Sequence, residues 1–127
     1  MLTLSLLPGA LAICRFAADS PIPAWALSGY LSSITRTTDE LSTVCPQAQV
    51  PVDIPHEGDW RCLKVHGPLD FSMTGVMASL AAPLAEDRIS LFAISTFDTD
   101  YLLVKQDKLD AAILSLTRVG HSILYSD

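Results

Sequence analysis

The stretch ISLFAISTFDTDYLLVKQ, residues 89–106, decides the fold. Two runs, LFAI and YLLV, are rich in the branched and aromatic residues that suit a pleated, half-buried surface. Between them, a turn around Asp98-Thr99 lets an Asp side chain bond the backbone two residues on. The reading is two tightly joined strands, with Asp100 opening the second.

Working outward, WRCLKVHG (60–67) reads as a strand ending at a glycine. A helix follows from Met73 to Asp87, with Ser72 as N-cap. Its apolar stripe is Met73, Val76, Met77, Leu80, Ala81 and Leu84, spaced i, i+3, i+4. Pro83 removes one hydrogen bond and bends its last turn. Beyond the paired strands, Asp107 caps a second helix with Asp110 in its first turn. Its stripe is Leu109, Ala112, Ile113 and Leu116, and Gly120 ends it. SILY closes as a strand. The order β-α-β-β-α-β is the ferredoxin-like arrangement of an α+β protein.

The first half repeats part of this pattern. ITRTTDELSTV (34–44) aligns with ISTFDTDYLLV (94–104), matching Ile34 to Ile94 and Val44 to Val104 at a constant spacing of 60 residues. ALAICRF reads as a strand and PIPAWALSG as a short helix opened by proline. PQAQVPVDIPHEGD is the linker. Two tandem ferredoxin-like units result, residues 1–57 with the linker and 58–127, with antiparallel sheets and helices on one face. Each alone is too small to be comfortable. LFAI and YLLV are apolar on both faces, so the other half and a partner protomer are expected to cover the second one.

The net charge is −6 with only eight scattered Lys and Arg, which argues against nucleic acid and anionic membranes as partners. Cys14, Cys45 and Cys62 form no disulfide framework and fit a reducing compartment. The opening MLTLSLLPGALAIC lacks a basic start and is broken by Pro8-Gly9, so it reads as strand–turn–strand rather than a leader. A cytoplasmic location is expected.

The segments SSITRTTDELSTVCP, HGPLDFSMTG and ISTFDTDYLLV together resemble the tandem ACT domains, small regulatory modules attached to aspartate kinases and other amino-acid enzymes. The resemblance is strongest to a stand-alone branch similar to the arginine-sensing CASTOR proteins. It implies a regulatory protein that binds an amino acid where one ACT unit meets another. In those sensors the ligand touches a Gly-x-x-acid loop and a Thr-Phe-x-x-Asp segment. Here these fall on Gly67 and Asp70, and on Thr96, Phe97 and Asp100. The sensors carry four ACT units and this chain two, which implies a homodimer.

Each of these residues also has a plainer reading. Gly67 serves backbone geometry, or lets N–H groups reach a ligand carboxylate. Asp70 precedes a helix, where the dipole favours it, or touches a ligand. Asp98 and Asp100 suggest a metal pair, but a hard cation needs more oxygens than are visible. Asp100, beside an apolar run, suits an ammonium or guanidinium partner. Cys62 and His66 share a strand face but lack an orienting group and an oxyanion hole, so they read as core residues. His121 falls past a helix end, where a cation suits the dipole. Trp25 and Trp60 read as core or interface anchors. No catalytic constellation, cofactor motif or metal site is expected. The rival readings are an adaptor protein with a vestigial pocket, and a metal-dependent enzyme using Asp70, Asp98 and Asp100.

Overall fold

The computed structural model describes residues 1–67, 69–70 and 73–125. It is a mixed α+β chain: among the described residues are eight strands and two α-helices. The strands are β1 (Thr3–Leu6), β2 (Leu11–Phe16), β3 (Ser33–Arg36), β4 (Leu41–Pro46), β5 (Glu57–Val65), β6 (Phe92–Ser95), β7 (Asp100–Lys105) and β8 (Ser122–Tyr125). The helices are α1 (Val76–Glu86) and α2 (Leu109–Arg118). No described helix is long and apolar enough to cross a membrane.

The chain divides into two compact units, Met1–Pro8 with Arg61–Asp127, and Gly9–Trp60. This corrects the expected division at 57/58. That boundary falls inside β5, and the first eight residues belong with the second half. The cause is β1, which pairs antiparallel with β5 through Leu4–Val65 and parallel with β8 through Leu4–Ile123. It therefore sits between the first and last strands of the later unit. The strand order there is β6-β7-β5-β1-β8, a ferredoxin-like sheet with one strand added.

Leu4, Leu63, Val65, Leu102 and Val104 turn one face of this sheet towards Leu80 and Leu84 of α1 and Leu109, Ala112 and Leu116 of α2. These side chains form a single buried cluster, and losing one leucine from it costs about 2–5 kcal/mol. Leu103 alternates to the opposite face and is equally buried, so β7 is covered on both sides.

α1 starts three residues later than its periodicity suggests. Gly75, with φ 77°, precedes its first turn, so Met73 lies outside the helix and is exposed. Ser72, the expected cap, is outside the described residues. Pro83 lies within α1 and has no N–H to give the Ser79 carbonyl one turn back. His121 supplies the missing donor: its ring nitrogen Nε2 lies 3.0 Å from the Ser79 oxygen. Its Nδ1 meanwhile accepts the Leu2 N–H at 3.2 Å. His121 is buried just past the end of α2, where the sequence suggests a cation to suit the helix dipole.

α2 is preceded by a 3-10 turn, Gln106–Lys108, so Asp107 lies in that turn and no side chain caps the helix. At the other end the Gly120 N–H bonds Thr117 and the His121 N–H bonds Leu116. This pairing, with Gly120 at φ 104°, is the Schellman ending.

In the other unit the order is β3-β4-β2-β5. The short helix expected over PIPAWALSG is a 3-10 turn here, at Ala24–Leu27, and a second 3-10 turn falls at Gln47–Gln49 in the expected linker. The stretch expected to be a linker is part of this unit, connecting β4 to β5, and the Gln47 side chain bonds the Asp59 backbone N–H at 2.5 Å. A small core of Ala12, Cys14, Cys45 and Val50 packs with Phe16 and Trp25.

The two hairpins close alike. Arg36 pairs with Leu41 and Ser95 with Asp100, each across four residues. Hence Thr37 corresponds to Thr96 and Asp39 to Asp98, one residue short of the expected spacing. Ile34 and Ile94 lie on corresponding strands, but not at corresponding positions.

Candidate functional site

The turn joining β6 to β7 is held by threonine. The Thr96 N–H bonds the Thr99 carbonyl at 2.8 Å, and the Thr96 hydroxyl accepts the Thr99 N–H at 3.3 Å. Asp98 was expected to supply the turn's side-chain bond, and Thr96 does so instead. The Thr99 hydroxyl is buried and donates to the Val65 carbonyl at 2.7 Å, anchoring the turn to the end of β5.

The loop after β5 is tied to the same turn, because the Leu69 N–H donates to the Asp98 carbonyl at 2.6 Å. Gly67 makes this approach possible. A Cβ there would stand 3.0 Å from the Asp98 oxygen and 3.0 Å from the Leu69 nitrogen, both backbone atoms. Room, rather than an unusual φ, is what requires glycine.

Between the turn, this loop and the start of α1 lies a hollow of about 210 Å³. Four of the five residues singled out from the sequence line it: Asp70, Thr96, Phe97 and Asp100. Gly67 does not, and lines a neighbouring hollow with Lys64, Asp98 and Thr99.

Asp100 shares the helix-side face of β7 with Leu102 and Val104. Its Oδ1 accepts the Ser95 hydroxyl at 2.6 Å, which orients the carboxylate. Asp98 is more exposed but also lines the hollow. Apolar surface comes from Leu69, Met73, Val76 and Phe97, and Phe97 is 78% exposed. Three carboxylates face the hollow, and its described lining includes no Lys, Arg or His. The site therefore favours a positively charged group over an anion. Among the described residues no three His, Cys, Asp or Glu side chains gather closely enough to hold a metal ion.

Sequence reasoning missed Ser95, Asp98 and Thr99 as lining residues. Ser95 was within reach, since a four-residue turn from 96 to 99 sets it opposite Asp100. Thr99 needed the contact with Val65, which no local pattern reveals.

Cys62 and His66 form no reactive pair. Cys62 is fully buried, and burial pushes its thiol up to about 12 against the smaller lowering influence of Lys64. Such a thiol stays protonated at neutral pH and is inert. His66 is exposed rather than core-facing, with its Nε2 2.5 Å from the Ser5 hydroxyl.

Residues 56–118 match the family model described as ACT domain, and residues 9–53 match a model described as an N-terminal domain. The chain is 40% identical over 69 residues to a Rattus norvegicus protein named cytosolic arginine sensor for mTORC1 subunit 1. The match covers 54% of this chain and 21% of that one, so the chain spans about a fifth of the length of such curated relatives.

A crystal structure of an Agrobacterium tumefaciens protein is similar throughout, with TM-score 0.93 and 41% identity, covering 99% of this chain and 94% of that one. The fold is also that of the regulatory subunit of aspartate kinase from Thermus thermophilus, in its ligand-free form. There the TM-score is 0.62 at 16% identity, covering 94% of this chain and 99% of that one.

Proposed function

We propose that this chain, whose residues 56–118 match the ACT-domain family model, is a non-catalytic regulatory protein sensing an amino acid in the hollow between the 96–99 turn and α1. The observation that carries this reading is the gathering of Asp70, Thr96, Phe97 and Asp100 around one hollow. Asp100 receives the ligand's ammonium or side-chain cation, in a charge-assisted contact strengthened by the apolar wall. Asp70 and Asp98 add to the field. Phe97 lends aromatic surface, and Gly67 keeps the 67–70 loop against the turn. The two units are tandem ACT-type repeats, and the protein acts as a cytoplasmic homodimer in which a second copy faces this hollow. Ligand occupancy is passed to a protein partner through that interface. The relative named as an arginine sensor supports the amino-acid class.

The test is to map whichever amino acid stabilises the full chain by ¹⁵N spectra. Shifts clustered at residues 69–76 and 95–100 support the reading, and shifts clustered elsewhere refute it.

A further inference from the structure

The turn that walls the acidic hollow has a second side. Leu63 and Val65 belong to the core under the helices, so Lys64, between them on β5, points to the opposite face of the sheet. There Lys64, Gly67, Asp98 and Thr99 surround a separate hollow of about 260 Å³. We propose that this hollow is a second ligand site, taking a small monocarboxylate on the Lys64 ammonium.

Lys64 carries this assignment by its surroundings. It is half-buried, and among the described residues no carboxylate pairs with it. Its Nζ lies 6.0 Å from the centre of the Tyr101 ring, a contact that offsets only part of the desolvation of a cation. Next to it on the same face, Cys62 is fully buried, so the charge stands at the edge of a low-dielectric region where a counter-ion binds more strongly than in water.

The other lining groups define the class of ligand. The Thr99 hydroxyl is committed to Val65 and its N–H to Thr96, leaving Lys64 as the charged donor. Gly67 offers no side chain to fill the space. Asp98 at the rim repels a dianion such as phosphate and tolerates a single negative charge that is held at Lys64. The two hollows share Asp98 and Thr99, yet they select opposite charges.

The test is an acetate titration of the ¹⁵N-labelled full chain against chloride at matched ionic strength. Saturable shifts at Gly67, Asp98 and Thr99 are expected. Lys64→Met should weaken acetate at least about tenfold, Lys64→Arg should retain it, and Asp100→Asn should leave it unchanged. Should Lys64→Met lose the dispersion of the folded spectrum, Lys64→Gln carries the same comparison. Equal unsaturable shifts with acetate and chloride, undiminished binding in the Lys64 variant, or tighter binding of phosphate would each overturn the proposal. Amino-acid binding in the acidic hollow is read at Leu69, Val76, Ser95, Thr96 and Asp100, which do not line this second hollow, so the two sites succeed or fail separately.

Discussion

Asp98 and Asp100 carry the same carboxylate in different settings. Asp100 is half-buried, oriented by Ser95, and continues into the buried face of β7. Asp98 sits exposed at the turn, where its backbone carbonyl, not its side chain, makes the structural contact, to Leu69. Losing a partly buried charged contact costs about 2–5 kcal/mol of binding. Asp100→Asn should therefore weaken the amino-acid ligand by at least tenfold in calorimetry, while Asp98→Ala should change affinity far less and leave the turn intact. Gly67→Ala is a test of space. Its methyl group has to displace backbone rather than a side chain, so chemical denaturation should show a loss of about 1–3 kcal/mol.

Among the elements, α1 and its neighbours show where sequence patterns end. The stripe through Leu80 and Leu84 was legible because burial follows the helical period. The role of His121 was not, since it depends on a carbonyl that Pro83 leaves open on an element more than thirty residues away. His121→Phe should fill the same space and leave the Leu2 N–H and Ser79 carbonyl unbonded. Urea unfolding should register a loss of about 1–3 kcal/mol.

The end of α1 is tied to α2 through Asp87, whose carboxylate accepts from the Ser115 hydroxyl and from Arg118 at 2.6 Å. The Ser115 bond first, and Arg118 second, hold its pKa below the usual carboxylate range. With the folded pKa depressed, the unfolded chain takes up the proton first. The contribution is complete above the ordinary Asp pKa and fades as pH falls through the folded value. Asp87→Asn should thus narrow the stability difference from wild type as acid is added, measured by urea midpoints from neutral pH downward.

At the scale of the whole molecule, the ferredoxin-like order of the second half could be read from alternating strand and helix periods. The insertion of β1 between β5 and β8 could not, because strand pairing across more than a hundred residues leaves no local trace. The two hairpins close on the same kind of turn, but the expected alignment between them is off by one residue. Matching isoleucines and valines suggest a spacing of 60 residues, whereas the like turn bonds of Thr37 and Thr96 align the two turns one residue closer. In the candidate site, motif residues on the turn were readable, while the anchoring of Thr99 and the cation at Lys64 required the fold. A homodimer is the proposed assembly, and light scattering at high micromolar concentration should give twice the chain mass. A monomer mass would remove the second copy from the binding site.

The central claim, that an acidic hollow on an ACT unit binds an amino acid, is tested most directly by thermal unfolding of the full chain against each of the twenty amino acids. At about a hundredfold excess over Kd, binding to the folded state contributes roughly 2.7 kcal/mol, a rise in Tm on the order of 10 °C for a chain of this size. The account predicts such a concentration-dependent rise for at least one amino acid, with cationic ones favoured by the three carboxylates. No shift with any of the twenty would contradict it.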